Sequence, residues 1–269
     1  MRNASNSRPV ALVTGASSGI GRSLAMQLAE RGHDLVLTAR RLPLLEEAAE
    51  EIGKATGAQC VAIRSDLSDV DGAQQLIAEI RRRNLRVSYL VNNAGVTVEG
   101  RFLDHAWEQQ RAFVQLMSTS PAELIHAFLP EMLKAKSGKV LNIASLGAFW
   151  PSFPGITLYA GAKSFLVRMT NTLAVEYVGS GVTFTVLCPF TTRTAFIDTP
   201  NTRGIVEKMP GFMIQSPEAV ARIGLEAVEK GKVVAHTSAL NHAMAVALTV
   251  MPPRLISAGI VRFMALGTH

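Results

Sequence analysis

A tyrosine, a lysine and a serine in the middle of the chain have the side-chain types and spacing that proton transfer requires. Tyr159 and Lys163 stand four residues apart in Y-A-G-A-K, which places them on one face of a helix. A nearby ammonium stabilises a phenolate and lowers the tyrosine pKa from about 10. Tyr159 is therefore a candidate general acid or base, and Ser145, at the end of N-I-A-S, supplies a hydroxyl after the preceding strand-like run.

Strand-like apolar runs alternate with helical patterns along the chain and provide the frame for these residues. Near-continuous apolar strands separated by helices are typical of a parallel sheet that is buried on both faces. The sequence therefore predicts a doubly wound α/β fold flanked by helices, with 1–269 as a single domain. The runs span residues 10–14, 34–38, 60–64, 89–92, 139–143, 182–187 and 232–235.

Three further segments are predicted around this sheet. Residues 1–8 form a frayed N-terminal tail, and residues 190–215, with several prolines and glycines, form a lid over the substrate site. A helix begins after Ser216, because serine is a good N-cap and Pro217 suits the first helical turn. Residues 238–269 form an apolar C-terminal extension.

The first predicted strand leads into a glycine-rich turn, T-G-A-S-S-G-I-G, at residues 14–21. Glycines at this spacing allow a tight turn, a close backbone approach to a pyrophosphate, and close packing of helix on strand. The helix that follows offers N–H groups and a partial positive charge to phosphates. Such a turn between a first strand and a helix predicts a dinucleotide site. Its members are Gly15, Ser17, Ser18, Gly19, Ile20 and Gly21.

The end of the second predicted strand reads T-A-R-R, residues 38–41, and carries no carboxylate. Dinucleotide folds that prefer NAD present an acid here to the ribose 2′-hydroxyl. A guanidinium can instead grip a 2′-phosphate with paired hydrogen bonds. We therefore expect NADP(H) as the cofactor, with Arg40 as the main contact and Arg41 as a secondary one. The alternative is that both are ordinary surface arginines.

Several motifs, taken in order, resemble those of the short-chain dehydrogenase/reductase family: T-G-A-S-S-G-I-G, N-N-A-G at residues 92–95, Ser145 and Y-A-G-A-K. The resemblance covers residues 8–235 and is greatest to bacterial members related to the ketoacyl and hydroxysteroid reductases. It implies a Rossmann-type sheet of seven strands. It also implies hydride transfer between a nicotinamide and a carbonyl or secondary alcohol.

The resemblance implies roles for individual residues as well. Tyr159 would exchange the substrate proton, Ser145 would hold the substrate oxygen, and Lys163 would bind the nicotinamide ribose and lower the Tyr159 pKa. Asp66 in S-D-L-S matches the adenine contact of the family, with a cap for the following helix as the alternative. The other positions that match cofactor contacts are Leu67, Asn93, Ala94, Gly95, Pro189, Thr192 and Thr194.

Three positions depart from the family pattern. The relay asparagine of the family falls on Met117, whose thioether is a weak acceptor and donates nothing. The Pro-Gly of the family reads Pro189-Phe190, which puts a phenylalanine beside the expected nicotinamide face. The interval between Ser145 and Tyr159 is one residue longer than the family usually has, so Ser145 could be displaced.

The helical pattern around Met117 is interrupted by Q-L-M-S-T-S-P, residues 115–121. A proline removes the backbone donor that would bond the carbonyl one turn earlier, which is that of Met117. In the family this helix is kinked at the asparagine, so that a carbonyl can hold a relay water. We expect the same irregularity here, with Ser118, Thr119 or Ser120 in place of the missing amide.

Composition argues against several other kinds of protein. With 269 residues and 48% hydrophobic content the chain can bury a core, which excludes disordered and fibrous classes. The net charge of +6 is spread along the chain without a nucleic-acid-binding module, so no nucleic acid is expected. Cys60 and Cys188 lack companions at metal-ligand spacing, so we expect neither a metal site nor a disulfide. The N-terminus lacks the apolar core of a signal peptide, which favours a cytoplasmic protein.

The predicted function is that of an NADP(H)-dependent carbonyl reductase. Aromatic and methionine side chains in the loops suggest a bulky apolar substrate, such as a lipid-like or steroid-like ketone, or they simply pack beneath the lid. The alternative is a non-catalytic NADP(H)-binding protein in which Met117 and Phe190 replace working residues. The resemblance implies a homodimer or homotetramer, and the C-terminal extension is expected to pack against protein rather than on a membrane surface. The loop side chains are Phe149, Trp150, Phe153, Phe190, Phe196, Met209 and Met213.

Overall fold

A computed structural model of the protein describes residues 8–98, 100–150, 157–193, 210–252, 254 and 256. Strands and helices alternate along this part of the chain. The strands are β1 (Val10–Thr14), β2 (Asp34–Ala39), β3 (Cys60–Arg64), β4 (Val87–Asn92), β5 (Gly138–Ile143), β6 (Val182–Cys188), β7 (Thr191–Thr192), β8 (Ile214–Gln215) and β9 (Val234–His236). The helices are α1 (Gly19–Glu30), α2 (Leu42–Thr56), α3 (Gly72–Arg82), α4 (Trp107–Val114), α5 (Ser120–Ala135), α6 (Thr157–Glu176), α7 (Pro217–Glu229) and α8 (Ala239–Val250).

Seven of the strands form one parallel sheet in the order β3-β2-β1-β4-β5-β6-β9. The winding reverses between β1 and β4, because the chain first moves outward from β1 to β3 and then returns to continue on the other side. In such sheets, ligands bind beyond the carboxyl ends of the strands at this switch point. The prediction of a doubly wound, Rossmann-type sheet of seven strands is confirmed.

Each face of the sheet is covered by a separate layer of helices. Ala11 and Val13 of β1 belong to the core that contains buried side chains of α1, α2 and α7. Leu12, between them, belongs to the core that contains buried side chains of α3, α5 and α6. Successive strand residues point to opposite faces, so both sets must be apolar, which explains the unbroken apolar runs.

The predicted boundaries of the elements hold with small shifts. The last strand of the sheet begins at Val234 rather than at residue 232, and the Thr185 hydroxyl donates to the carbonyl of Lys232 just before it, at 2.7 Å. The helix predicted after Ser216 is α7, where the Ser216 hydroxyl accepts the N–H of Ala219 at 3.2 Å. The cap and the first-turn proline therefore fix this start as the sequence indicates.

The predicted lid, residues 190–215, begins and ends in a short parallel pair. Thr191 pairs with Ile214 and Thr192 with Gln215, so β7 and β8 bring the two ends of the segment together. Its middle, residues 194–209, lies outside the described residues, as do the tail before residue 8 and the last part of the C-terminal extension. Among the described helices, α8 included, none is long and apolar enough to cross a bilayer.

Candidate active site

The glycine-rich turn after β1 keeps space open where side chains would otherwise lie. Gly15 and Gly19 have φ of +67° and +56°, the left-handed region that glycine adopts without strain. A Cβ on Gly21 would lie 2.2 Å from the Gly15 carbonyl oxygen, so only glycine allows α1 to approach the turn this closely. Ser18 is the N-cap residue of α1 but makes no side-chain capping bond. Its hydroxyl is therefore not used in capping, and the binding of phosphate oxygens by this hydroxyl and the first N–H groups of α1 stays a prediction.

Hydrogen bonds from both neighbouring strands hold this turn. The Gly15 N–H donates to the Thr38 carbonyl at the end of β2, at 2.8 Å. From the β4 side, the Asn93 amide donates to the carbonyls of Thr14, at 2.9 Å, and Gly15, at 3.3 Å. The Thr14 hydroxyl accepts the N–H groups of Asn93 and Ala94 at 2.9 and 3.0 Å. The N-N-A-G segment is thus fixed to the phosphate turn across the switch point.

Arg40 follows β2 at the rim of the same crevice, and both Arg40 and Arg41 are exposed. Arg64, at the end of β3, donates from Nε to the Arg40 carbonyl at 3.2 Å. This bond holds the Arg40 backbone and brings a third guanidinium group to this edge of the sheet. Sequence reasoning missed Arg64, although a basic residue ending the strand beside β2 was a usable signal.

The segment after β3 forms a closed turn at Asp66. The Asp66 carboxylate accepts the N–H of Ser68 at 3.0 Å and the Ser68 hydroxyl as well. The alternative that Asp66 caps the following helix is wrong, because α3 begins at Gly72 and its N-cap residue is Asp71. A Cβ on Gly72 would lie 1.9 Å from the Asp66 carbonyl oxygen, so α3 starts directly against the turn. The adenine contact predicted for Asp66 and Leu67 stays a prediction.

Ser145, Tyr159 and Lys163 meet at the carboxyl end of β5. Ser145 caps the short 3-10 turn Leu146–Phe149, and its hydroxyl oxygen accepts the Gly147 N–H at 3.1 Å. The side chains of Ser145 and Tyr159 are hydrogen-bonded to each other. The Lys163 Nζ lies 5.9 Å from the centre of the Tyr159 ring, within the range of a cation–π interaction. The three predicted residues therefore form one cluster.

Burial around the Tyr159 hydroxyl raises its pKa above the usual value, because a phenolate would lose its solvation. The hydrogen bond with Ser145 lowers the pKa by less than burial raises it. In the protein without a ligand, Lys163 alone therefore does not lower the Tyr159 pKa, and the lowering expected from Lys163 together with an oxidised nicotinamide stays a prediction. In this state the phenol keeps its proton, so Tyr159 is poised as a general acid.

Lys163 is buried, with 5% of its surface exposed, and its Nζ donates to the Ile143 carbonyl at 2.8 Å. Burial lowers the Lys163 pKa to about 8, with the neighbouring Cys188 acting in the opposite direction. Burial also raises the pKa of the Cys188 thiol to about 12, so that group is neutral at ordinary pH. At pH 7 the ammonium of Lys163 is thus the local positive charge beside Tyr159.

The helical interruption falls where the sequence predicts it. A π-helical turn, Gln115–Thr119, separates α4 from α5. Pro121 lacks the N–H that would bond the Met117 carbonyl, and a wider turn accommodates that loss. Met117 is 1% exposed, and its Sδ lies 3.1 Å from where a Cβ on Gly95 would be. The thioether therefore packs against the N-N-A-G segment, at the position where the family has its relay amide.

Ser120 is unsuited to replace that amide as a donor to water. Its hydroxyl donates to the Leu67 carbonyl at 2.7 Å and accepts from the Gln115 Nε2 at 3.1 Å. A serine hydroxyl has one proton, so Ser120 has none left to donate. Ser118, half-buried, and Thr119, exposed, remain as the predicted substitutes.

The other two departures lie close to the cluster. Phe190 is half-buried in the turn between β6 and β7. The Leu146 N–H donates to the Pro189 carbonyl at 2.7 Å, which joins that turn to the segment after Ser145. The extra residue between Ser145 and Tyr159 has not separated the two side chains, because they are still hydrogen-bonded.

The carboxyl edge of the sheet thus collects the predicted site residues that the structure describes. Thr194 lies outside the described residues, as do Phe153, Phe196 and Met209. The residues gathered at this edge are Gly15, Ser17, Ser18, Gly19, Ile20, Gly21, Arg40, Asp66, Leu67, Asn93, Ala94, Gly95, Ser145, Tyr159, Lys163, Pro189 and Thr192.

A parallel sheet with a phosphate turn at its switch point defines a dinucleotide-binding α/β protein. Comparison with known proteins narrows this class to one family. Residues 9–203 match the short chain dehydrogenase family. The chain is 36% identical to the oxidoreductase UcpA of Salmonella typhimurium over 184 residues, which are 68% of this chain and 69% of that protein. It is 32% identical to a 3-oxoacyl-[acyl-carrier-protein] reductase of Synechocystis over 212 residues, or 79% of this chain and 85% of that one.

Solved structures agree with the sequence comparisons. A short-chain dehydrogenase from Sphingobium yanoikuyae, solved in complex with NADPH, superposes with a TM-score of 0.77 at 26% identity and covers 97% of this chain and 96% of its own. The protein belongs to the short chain dehydrogenase family. It is accordingly an oxidoreductase that uses a nicotinamide dinucleotide and a small-molecule substrate.

Proposed function

We propose that the protein transfers hydride between NADP(H) and a carbonyl or secondary alcohol. The observation that carries the proposal is the hydrogen-bonded pair of Ser145 and Tyr159, with the Lys163 ammonium beside the tyrosine ring. The cluster lies at the carboxyl edge of the sheet that also bears the phosphate turn. NADPH supplies the hydride in the direction of reduction, so the protein has to hold the carbonyl and deliver a proton.

Each residue of the cluster has a distinct part in that task. Tyr159 donates its proton to the substrate oxygen, because burial keeps the phenol protonated. The Ser145 oxygen already accepts the Gly147 N–H, so its proton points elsewhere and is shared with Tyr159; it can hold the substrate oxygen once a carbonyl replaces the bond between the two hydroxyls. Lys163 places a positive charge beside the phenolate that forms when Tyr159 gives up its proton, which stabilises that product state.

The preference for NADP(H) over NAD(H) rests on the charges at the end of β2. Arg40 is exposed there, with its backbone held by Arg64, and no carboxylate follows the strand within T-A-R-R. The guanidinium groups of Arg40, Arg41 and Arg64 near one edge favour a 2′-phosphate, which carries the charge that a 2′-hydroxyl lacks. The NADPH complex of the Sphingobium yanoikuyae relative supports the same choice.

A bulky apolar ketone is the proposed substrate class. Trp150 and Phe190 are both half-buried, and the Trp150 ring lies 3.7 Å from where a Cβ on Gly147 would be, close to Ser145. The Phe149 ring instead lies 5.6 Å from the His236 ring, so this side chain fits the packing alternative. Among the described loop side chains, the apolar lining proposed for the substrate therefore depends on Trp150, Phe190 and the half-buried Met213.

The test is to incubate the protein with NADPH and a panel of apolar ketones while following NADPH absorbance. Steady loss of absorbance with at least one ketone, abolished in Tyr159→Phe, is the expected result. Tyr177→Phe is the matched control, because this tyrosine packs against Phe184 rather than in the cluster, and it should leave the rate unchanged. Equal rates for Tyr159→Phe and the wild type would contradict the assignment.

A non-catalytic NADP(H)-binding protein is the second candidate. Met117 favours it, because the buried thioether occupies the position of the relay amide and cannot donate a hydrogen bond. Tight NADPH binding without turnover on any carbonyl would establish this alternative.

We also propose a cytoplasmic location, a homodimer or homotetramer, and a C-terminal extension that packs against protein. Light scattering measures the number of subunits in the assembly. If the protein floats with liposomes and loses this property when it is truncated after Lys232, the extension contacts membrane rather than protein.

A further inference from the structure

One buried hydroxyl joins the segment after β3 to the irregular helix after β4. The Ser120 Oγ donates to the Leu67 carbonyl at 2.7 Å, and the Gln115 Nε2 donates to the same Oγ at 3.1 Å. Ser120 is 0% exposed, so water cannot replace either bond. The Leu67 carbonyl would be left without this partner in a buried place if the hydroxyl were removed, and that loss is costly.

The π-helical turn is what brings Gln115 to Ser120. Residues five apart in an α-helix differ by about 140° around the axis, because 3.6 residues complete a turn. In the π-helical turn the N–H of Ser120 donates to the carbonyl of Gln115, so the two residues stand one above the other. The irregularity therefore serves the contact with Leu67, whatever it contributes to a proton relay.

The turn that receives this bond is held at two points. The Asp66 carboxylate accepts the Ser68 N–H at 3.0 Å, and Ser120 holds the Leu67 carbonyl from the other side. Together these bonds fix the peptide groups of residues 66–68 at the carboxyl edge of the sheet. A segment ordered in advance binds its ligand without a further loss of conformational entropy.

We propose that Ser120 is a positioning residue for the adenine end of the cofactor, acting through Leu67, with Gln115 as its support. The inference rests on the proposed function, which assigns Asp66 and Leu67 to the adenine. The bonds of Ser120 run to Leu67 and Gln115, whereas the Ser145 hydroxyl accepts the Gly147 N–H, so we expect Ser120 to affect binding rather than hydride transfer. Its removal should therefore change the dissociation constant of the cofactor and leave kcat nearly unaltered.

Ser120→Ala is the direct test. The dissociation constants for NADPH and for 2′,5′-ADP, which has the adenine end but no nicotinamide, should both rise by about five- to ten-fold. The value of kcat at saturating NADPH should change by less than about two-fold. Gln115→Leu leaves the bond from Ser120 to Leu67 in place, so it should raise both constants by only about two-fold. This second variant keeps the test decisive if Ser120→Ala does not fold.

Thr185→Val is the matched control, because the Thr185 hydroxyl is also 0% exposed and donates to a carbonyl, that of Lys232, at 2.7 Å. It should lower the melting temperature to a similar extent and leave both dissociation constants unchanged. Unchanged constants in Ser120→Ala and Gln115→Leu, or an equal rise in Thr185→Val, would overturn the positioning role alone. A wild-type protein that binds neither NADPH nor 2′,5′-ADP would overturn the proposed function as well.

Discussion

The buried ammonium of Lys163 makes the stability of the fold depend on pH in a way that can be calculated. Lys163 is 5% exposed, and burial lowers its pKa from 10.5 to about 8. Below pH 8 both the folded and the unfolded chain carry the charge, so the folded state bears the full cost of burying it. Between pH 8 and pH 10.5 the folded protein releases a proton that the unfolded chain retains. Stability should therefore rise with pH in this window.

The size of the effect follows from the distance between the two pKa values. One pH unit is worth about 1.4 kcal/mol, so the whole window is worth about 3 kcal/mol. Between pH 7 and pH 9.5, a range in which unfolding can be measured, the expected gain is about 2 kcal/mol. Lys163→Met removes the charge and retains a side chain of similar length, so this gain should be absent from the variant.

Urea unfolding at several pH values gives the free energy of unfolding of both proteins. Both should carry Tyr159→Phe, so that titration of the phenol does not contribute. As the pH rises from 7 to 9.5, the free energy of unfolding of the protein with Lys163 should increase by about 2 kcal/mol relative to that of Lys163→Met. If the difference in free energy of unfolding between the two proteins were the same at every pH, the lowered pKa of Lys163 would be refuted.

Three further predictions concern the cofactor site and the relay. Arg40→Asp should lower the preference for NADPH, measured as kcat/KM for NADPH divided by kcat/KM for NADH, by at least about ten-fold. Arg41→Asp should lower this preference by less. An unchanged preference in steady-state kinetics would contradict the assignment of Arg40 to the 2′-phosphate. Met117→Asn should raise kcat several-fold while lowering the melting temperature, because it buries an amide; an unchanged kcat would mean that the relay is replaced or not needed. Gly21→Ala should abolish NADPH binding in titrations, because the new Cβ would lie 2.2 Å from the Gly15 carbonyl oxygen in the phosphate turn. Normal binding of NADPH by this variant would refute the steric argument. Its matched control, Gly161→Ala, meets nothing within 4 Å and should stabilise α6 by about 0.5–1 kcal/mol in thermal melts.

The sheet could be predicted from the sequence because its signals are local. Parallel strands buried on both faces are apolar throughout, and the run at residues 10–14 coincides with β1. The start of α7 was equally local, since Ser216 and Pro217 act within one turn. The two-residue strands β7 and β8 were not predicted, because pairs this short have no periodic pattern to detect.

Two kinds of contact make up the site. Contacts within one short sequence motif could be predicted, whereas contacts between segments that are far apart in the sequence could not. The phosphate turn and Y-A-G-A-K are of the first kind. The bond from Ser120 to Leu67 is of the second kind, because it joins residues 53 positions apart. The pKa of Tyr159 belongs there too, since spacing revealed the nearby lysine but not the burial that raises this pKa. The cap alternative for Asp66 could not be removed until α3 was seen to begin at Gly72, and its contact with the cofactor stays a prediction.

The Tyr159 cluster should support hydride transfer from NADPH to a carbonyl carbon. NADPH deuterated at its transferable position, incubated with the ketone that shows the fastest turnover, allows a direct measurement by mass spectrometry of the alcohol product. We expect one deuterium on the former carbonyl carbon with the wild-type protein and with Tyr177→Phe, and none above background with Tyr159→Phe. Saturating binding of NADPH without deuterium in any product would contradict it.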